Sequence, residues 1–97
     1  MTRNDFVFSV GFQGVSAIVD KAAKKKYGSL STKQLAEKGL YRAAFCSALY
    51  SRDEKEIESV MEIYNSRSKT RQQTPENMKR LLGVFGVPDT VTKVINI

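Results

Sequence analysis

The 97-residue sequence predicts a small α+β domain that is mainly helical, with an N-terminal β-hairpin that a C-terminal strand can join. Apolar residues alternate with small or polar ones near the N-terminus, which is typical of half-buried strands. Further along, apolar residues recur three and four positions apart, between residues that begin and end helices. The length suits one domain, so residues 1–97 are expected to share a single core.

The predicted hairpin covers about residues 6–19. Apolar residues occupy every second position on both sides of Gln13-Gly14, and glycine tolerates the positive φ that a tight turn needs. The alternative is one helix, because four of these residues also recur at helical spacing (Phe8, Phe12, Val15 and Val19). Two glycines inside that helix would each cost about 1 kcal/mol, which favours the hairpin.

Five helices are predicted, at about 20–27, 32–38, 40–50, 54–65 and 75–82. The first is a lysine-rich run that ends before Gly28. Ser31 and Gln34 fit a capping box at the start of the second, and Asp53 and Glu56 fit another at the start of the fourth. The third helix is the most apolar of the five.

Thr74-Pro75 suits the start of the last helix, as N-cap and first helical residue. Its expected buried stripe is Met78, Leu81, Leu82 and Phe85, and Gly83 and Gly86 are expected to end it. In the tail, the apolar residues of 91–97 are mostly β-branched, which favours a strand that can pair with the hairpin.

The segment from Ser31 to Ala44 resembles the first helix and turn of a helix-turn-helix motif. A Leu-Ala step at Leu35-Ala36, a turn glycine and a following helix carry the resemblance. It implies a recognition helix at about 40–50. That helix is core-like, however, and Gly39 follows Ala36 by three positions where the motif has four. The alternative is a tight corner between two packed helices.

The composition excludes several kinds of site within one chain. There is no histidine and only one cysteine, so the chain cannot form a His/Cys zinc site, a Ser-His-Asp triad or a disulfide. Cys46 lies among apolar residues, which favours a buried, inert thiol. We therefore expect a non-enzymatic protein without a cofactor. A single cysteine also favours a reducing, cytoplasmic location.

The charge predicts where a polyanion would bind. The formal net charge is +6, with excess positive charge in residues 1–40 and 66–97 and excess negative charge between them. Basic clusters bind phosphates by releasing counterions, so DNA or RNA is the expected partner. The predicted contact residues are Lys21, Lys24, Lys25, Lys26, Arg67, Lys69 and Arg71. The alternative is a solvated basic surface that keeps the protein soluble.

A second function class is a helical protein–protein interaction or assembly module whose basic charge is incidental. Two consecutive helices at 40–50 and 54–65 form the kind of hairpin that such modules use, and a leftover apolar patch would bind another protein or form a homodimer. An enzyme subunit that completes its site with a partner is a third class. No membrane association is expected, because the longest near-apolar stretch has about 14 residues and a membrane span needs about 20.

Overall fold

The computed structural model covers residues 1–97 and confirms the α+β fold class, with six helices and one three-stranded sheet. In chain order the elements are α1 (Arg3–Val7), β1 (Ser9–Gln13), β2 (Ser16–Val19), α2 (Lys21–Tyr27), α3 (Thr32–Glu37), α4 (Tyr41–Ser51), α5 (Glu54–Arg67), α6 (Pro75–Leu82) and β3 (Lys93–Asn96). The five predicted helices all form, with ends within two residues of the expected ones. None of the helices is both long and apolar enough to span a bilayer.

The N-terminus differs from the prediction, because the hairpin begins at Ser9 and residues 3–7 form the short helix α1. A capping box starts this helix: the Thr2 hydroxyl accepts a hydrogen bond from the Asp5 amide, and the Asp5 carboxylate accepts one from the Thr2 amide. These bonds satisfy donors that a helix start leaves free. Phe6 and Val7 are almost fully buried from a helix rather than a strand.

The sheet has the order β1-β2-β3. Strands β1 and β2 pair antiparallel through a turn at Gly14, whose φ is 59°, and the register shifts between Ser9 and Gly11. Strand β3 pairs parallel to β2, with Ile18 opposite Ile95. The C-terminal tail therefore joins the hairpin, as the sequence indicated. Both β1 and β3 are edge strands.

The core lies where α1, the sheet and α3–α5 meet. Helix α4 is its centre, since the consecutive residues Ala44–Ala48 are all buried. Gly39, with φ 82°, forms the corner between α3 and α4, where a side chain would strain the left-handed backbone. Because the middle of α4 is buried, it offers no row of exposed side chains to a DNA groove, and the segment forms a tight helix corner.

The stripe predicted for α6 is only partly buried. Met78 is buried, whereas Leu81 is 48% exposed and Phe85 is 71% exposed. The reason is Gly83, whose φ of 70° ends the helix and turns the chain, so that Val84 enters the core in place of Phe85. Gly86 lies beyond this end and does not cap the helix.

Candidate nucleic-acid interface

Helix α2 carries four of the seven predicted phosphate-binding residues and contains no acidic side chain. The Asp20 carboxylate begins the helix by accepting a hydrogen bond from the Ala23 amide at 3.1 Å. Lys21, Lys25 and Lys26 are exposed, and no residue of α2 is fully buried. We call these three lysines the α2 lysine surface.

Lys24 has a different role from its neighbours. Its ammonium group lies 2.6 Å from the carboxylate of Asp5, which is nearly buried in α1. Burial raises the pKa of Asp5, but the hydrogen bonds from Lys24 and Thr2 outweigh it, and the pKa lies below its ordinary value. The ion pair therefore attaches α2 to α1 and leaves Lys24 less available to a ligand.

Arg3 fixes the end of α2 and was not among the predicted site residues. Its guanidinium donates to the backbone carbonyls of Leu30 at 2.7 Å and Gly28 at 3.3 Å, and to the Ser47 hydroxyl of α4 at 3.0 Å. Asn4 also donates to the Gly28 carbonyl, at 3.1 Å. The residues that position α2 thus come from α1, the helix that the sequence pattern did not reveal.

The ring of Tyr27, at the end of α2, packs against the core and is half-buried. The Lys26 ammonium group lies 5.2 Å from the centre of this ring, within the range of a cation–π contact. The contact holds Lys26 close to the helix while its charge stays accessible.

The second predicted group follows α5, and its first member, Arg67, makes contacts within the protein. The guanidinium donates to the carbonyls of Glu37 at 2.7 Å and Ala36 at 3.4 Å, at the C-terminal end of α3. A helix leaves its last carbonyls without partners and has a negative C-terminal end, so a cation stabilises this position. Arg67 caps α3.

Lys69 and Arg71 lie exposed in the loop between α5 and α6. Two hydrogen bonds close the base of this loop: the Asn65 amide group donates to the Gln72 carbonyl and accepts from the Gln72 amide, both at 2.8 Å. Arg71 also lines a polar groove that contains Glu62 of α5. Acidic side chains therefore border part of this group.

No ion pair connects the two basic groups. Ala23 of α2 lines a shallow groove with residues 39–43, the corner between α3 and α4. Arg67 contacts the end of α3, which precedes this corner. The two basic groups therefore border the α3–α4 segment through different residues, and acidic side chains line a groove beside the loop cations, whereas α2 itself contains none.

Cys46 is fully buried, and this burial raises the pKa of its thiol to about 11. The thiol is protonated near neutral pH, and the protonated form is a poor nucleophile. No group of three or more His, Cys, Asp or Glu side chains is arranged to hold a metal ion.

Comparison of the chain with models of protein families, with curated proteins and with solved structures found no match.

Proposed function

We propose that the protein binds the phosphate backbone of a nucleic acid through the α2 lysine surface. The observation that carries the proposal is the exposure of Lys21, Lys25 and Lys26 on a helix that contains no acidic residue. Only Lys24 and Lys33 form ion pairs in the whole molecule. Most of the positive charge is therefore free to attract an anion.

The dimensions of α2 suit a short stretch of backbone. Seven helical residues extend about 10 Å. One strand of a duplex presents about three phosphates over that distance. Lysines contact phosphates as flexible point charges and carry no base readout, so the expected binding has little sequence preference. Lys69 and Arg71 add a second contact only for a ligand long enough to reach the loop between α5 and α6 as well.

The test compares two triple variants that lose the same charge at different places. The first replaces Lys21, Lys25 and Lys26 with alanine. The control replaces Lys33 of α3, Lys38 directly after α3 and Lys55 of α5, which are also exposed. Affinity for a fluorescent single-stranded oligonucleotide is measured by anisotropy in low salt.

We expect the α2 variant to bind at least about tenfold more weakly than the control, because local phosphate contacts add to the general effect of net charge. Equal weakening of both variants would show that only net charge matters. Absence of binding by the unaltered protein would refute the proposal directly. Circular dichroism establishes that both variants are folded.

A second candidate function, protein–protein interaction, is favoured by the exposed apolar side chains. Ten large apolar residues are exposed, and six of them follow residue 80. An exposed apolar patch is a typical sign of a protein partner. The sheet carries several of these residues at its free edge.

A further inference from the structure

We infer that β3 is a dimerisation strand, which pairs antiparallel with β3 of a second copy of this chain to form a continuous six-stranded sheet. This inference gives the second candidate function a definite partner and is independent of phosphate binding by α2. It rests on three features of β3: its unpaired backbone groups, its exposed apolar side chains and the symmetry of its outer edge.

The backbone hydrogen bonds show which groups of β3 are free. The amides of Lys93 and Ile97 donate to carbonyls of Val15 and Val19, at 3.2 and 2.9 Å, so these positions face the sheet interior. Backbone groups alternate sides along a strand. The amides and carbonyls of Val94 and Asn96 therefore point to the open edge, where no other element of the chain pairs with β3.

The other edge of the sheet is protected. At the start of β1, the Arg42 guanidinium donates to the carbonyl of Ser9 at 2.6 Å, and the register shift that follows distorts the strand. Phe12 of β1 lines a cavity with Val84 and Phe85, so the segment after α6 borders this edge. Such contacts and bulges are the usual devices that block strand addition. Strand β3 has no bulge, and no other element of the chain pairs with its outer edge.

Two of the four side chains of β3 are apolar and exposed to solvent. Every residue of β3 is exposed, although Val94 and Ile95 are apolar, and Ile97 beyond its end is 67% exposed. Lys93 is the only charged residue in the strand. A hydrophobic, unblocked edge is a template for another strand.

The pattern of free groups is self-complementary, so a second copy of the chain pairs all of them without any other partner. With a two-fold axis at Ile95, Val94 of each copy lies opposite Asn96 of the other. Each of these two pairs exchanges two backbone hydrogen bonds, and Ile95 meets Ile95 at the closely spaced position between them. One contact thus covers both open edges. Sheets of about six strands are common, whereas a three-stranded sheet with an open edge is small.

We expect a weak dimer that salt strengthens. The contact is short, and short interfaces bind weakly. Two copies with a net charge of +6 also repel each other, and salt screens this repulsion. Salt has the opposite effect on phosphate binding, so the two associations are distinguishable.

The first experiment is sedimentation velocity on the unaltered protein up to about 1 mM, a concentration at which a weak interface of this size is populated. It is repeated on Val94→Pro, which removes an amide that faces the open edge without removing a bond to β2, and on Val94→Thr, which keeps that amide. We expect Val94→Pro to weaken the dimer at least about tenfold and Val94→Thr to leave it within about threefold. A monomer at every concentration, or equal dimerisation of both variants, would overturn the inference.

The second experiment does not depend on how well a proline is tolerated. Ile95→Cys places two thiols opposite each other across the axis, at about 4.5 Å between Cα atoms, which suits a disulfide. The control is Val10→Cys, at an exposed position of the protected strand β1. Buried Cys46 does not compete for the oxidant. Oxidised glutathione should link Ile95→Cys into dimers much faster than Val10→Cys, and equal rates would contradict the proposed pairing.

Discussion

At the scale of single residues, the pair of Asp5 and Lys24 has the clearest energetic consequence. Lys24→Met leaves a nearly buried carboxylate without its cation, whereas Asp5→Asn removes the charge itself. We expect Lys24→Met to lower the free energy of unfolding by about 1–2 kcal/mol and to cost more than Asp5→Asn. Urea denaturation measures both values, and a smaller loss for Lys24→Met would contradict the structural role of the pair.

The pH dependence of this pair has a defined sign. The pKa of Asp5 is lower in the folded protein than its ordinary value. Its contribution to stability is therefore complete above the unfolded pKa, about 3.9, and is lost as the pH falls through the folded pKa. In Asp5→Asn this part of the acid destabilisation is absent. The difference in free energy of unfolding between the two proteins, measured by urea denaturation, should therefore shrink between neutral pH and about pH 2, and a difference that does not change with pH would contradict the ion pair.

Gly28 is the residue where the end of α2 tolerates no side chain. A Cβ atom there would overlap the Lys24 carbonyl oxygen and lie 2.8 Å from the side-chain amide nitrogen of Asn4. We expect Gly28→Ala to lower the free energy of unfolding by about 1–3 kcal/mol, because backbone must move to admit the methyl group. Gly11→Ala is the matched control, since its Cβ would meet nothing within 4 Å. Similar losses in the two variants would show that Gly28 is not closely packed.

At the scale of elements, residues that begin helices were more informative than apolar spacing. Ser31, Asp53 and Thr74 cap α3, α5 and α6 as predicted, because capping is a local interaction. The box predicted for Asp53 and Glu56 does not form, since Asp53 accepts from the Lys55 amide and Glu56 returns no bond. The same logic applied to Thr2 and Asp5 would have revealed α1, but the alternation of Phe6 and the following residues favoured a strand. Alternation over a few residues does not separate a strand from a short buried helix.

Which side chains are buried after α6 depends on tertiary packing and not on the local sequence pattern. Phe85 fits the helical spacing of the preceding residues, yet the left-handed turn at Gly83 directs Val84 inward instead. The parallel pairing of β3 with β2 likewise depends on where the intervening helices return the chain. Sequence patterns predicted that these elements exist, whereas tertiary packing determined which of their side chains are buried.

Arg67, the last residue of α5, contacts the end of α3, whereas Lys69 and Arg71 make no such contact between helices. The hydrogen bonds of Arg67 to Ala36 and Glu37 cap α3. We expect Arg67→Ala to lower the free energy of unfolding by about 0.5–1 kcal/mol, whereas Lys69→Ala leaves it nearly unchanged. Thermal denaturation followed by circular dichroism compares the two. Equal stabilities would show that the cap contributes nothing.

At the scale of the whole molecule, the distribution of charge was visible in the sequence but its arrangement was not. The two basic segments were identified by composition. In the structure, however, Lys24 forms an ion pair with Asp5, and Arg67 caps the end of α3. The α2 lysine surface and the loop cations Lys69 and Arg71 remain exposed. Long-range contacts of this kind carry no periodic signal, so the sequence predicted the cations without showing which of them are free.

The open edge of β3 lies on a different element from the α2 lysine surface. A dimer through β3 would give each assembly two lysine surfaces, and a long nucleic acid that reaches both would bind more tightly than a short one. Ionic strength distinguishes the two associations. Salt weakens phosphate binding, whereas it strengthens the dimer by screening the repulsion between two positively charged copies.

The most direct test of the central claim is the dependence of oligonucleotide affinity on salt concentration. If Lys21, Lys25 and Lys26 each neutralise a phosphate, replacing them with alanine should reduce the slope of log affinity against log salt by about 2 for a single strand. The matched variant at Lys33, Lys38 and Lys55 should keep nearly the full slope. An unchanged slope in the α2 variant would show that these lysines do not contact the ligand.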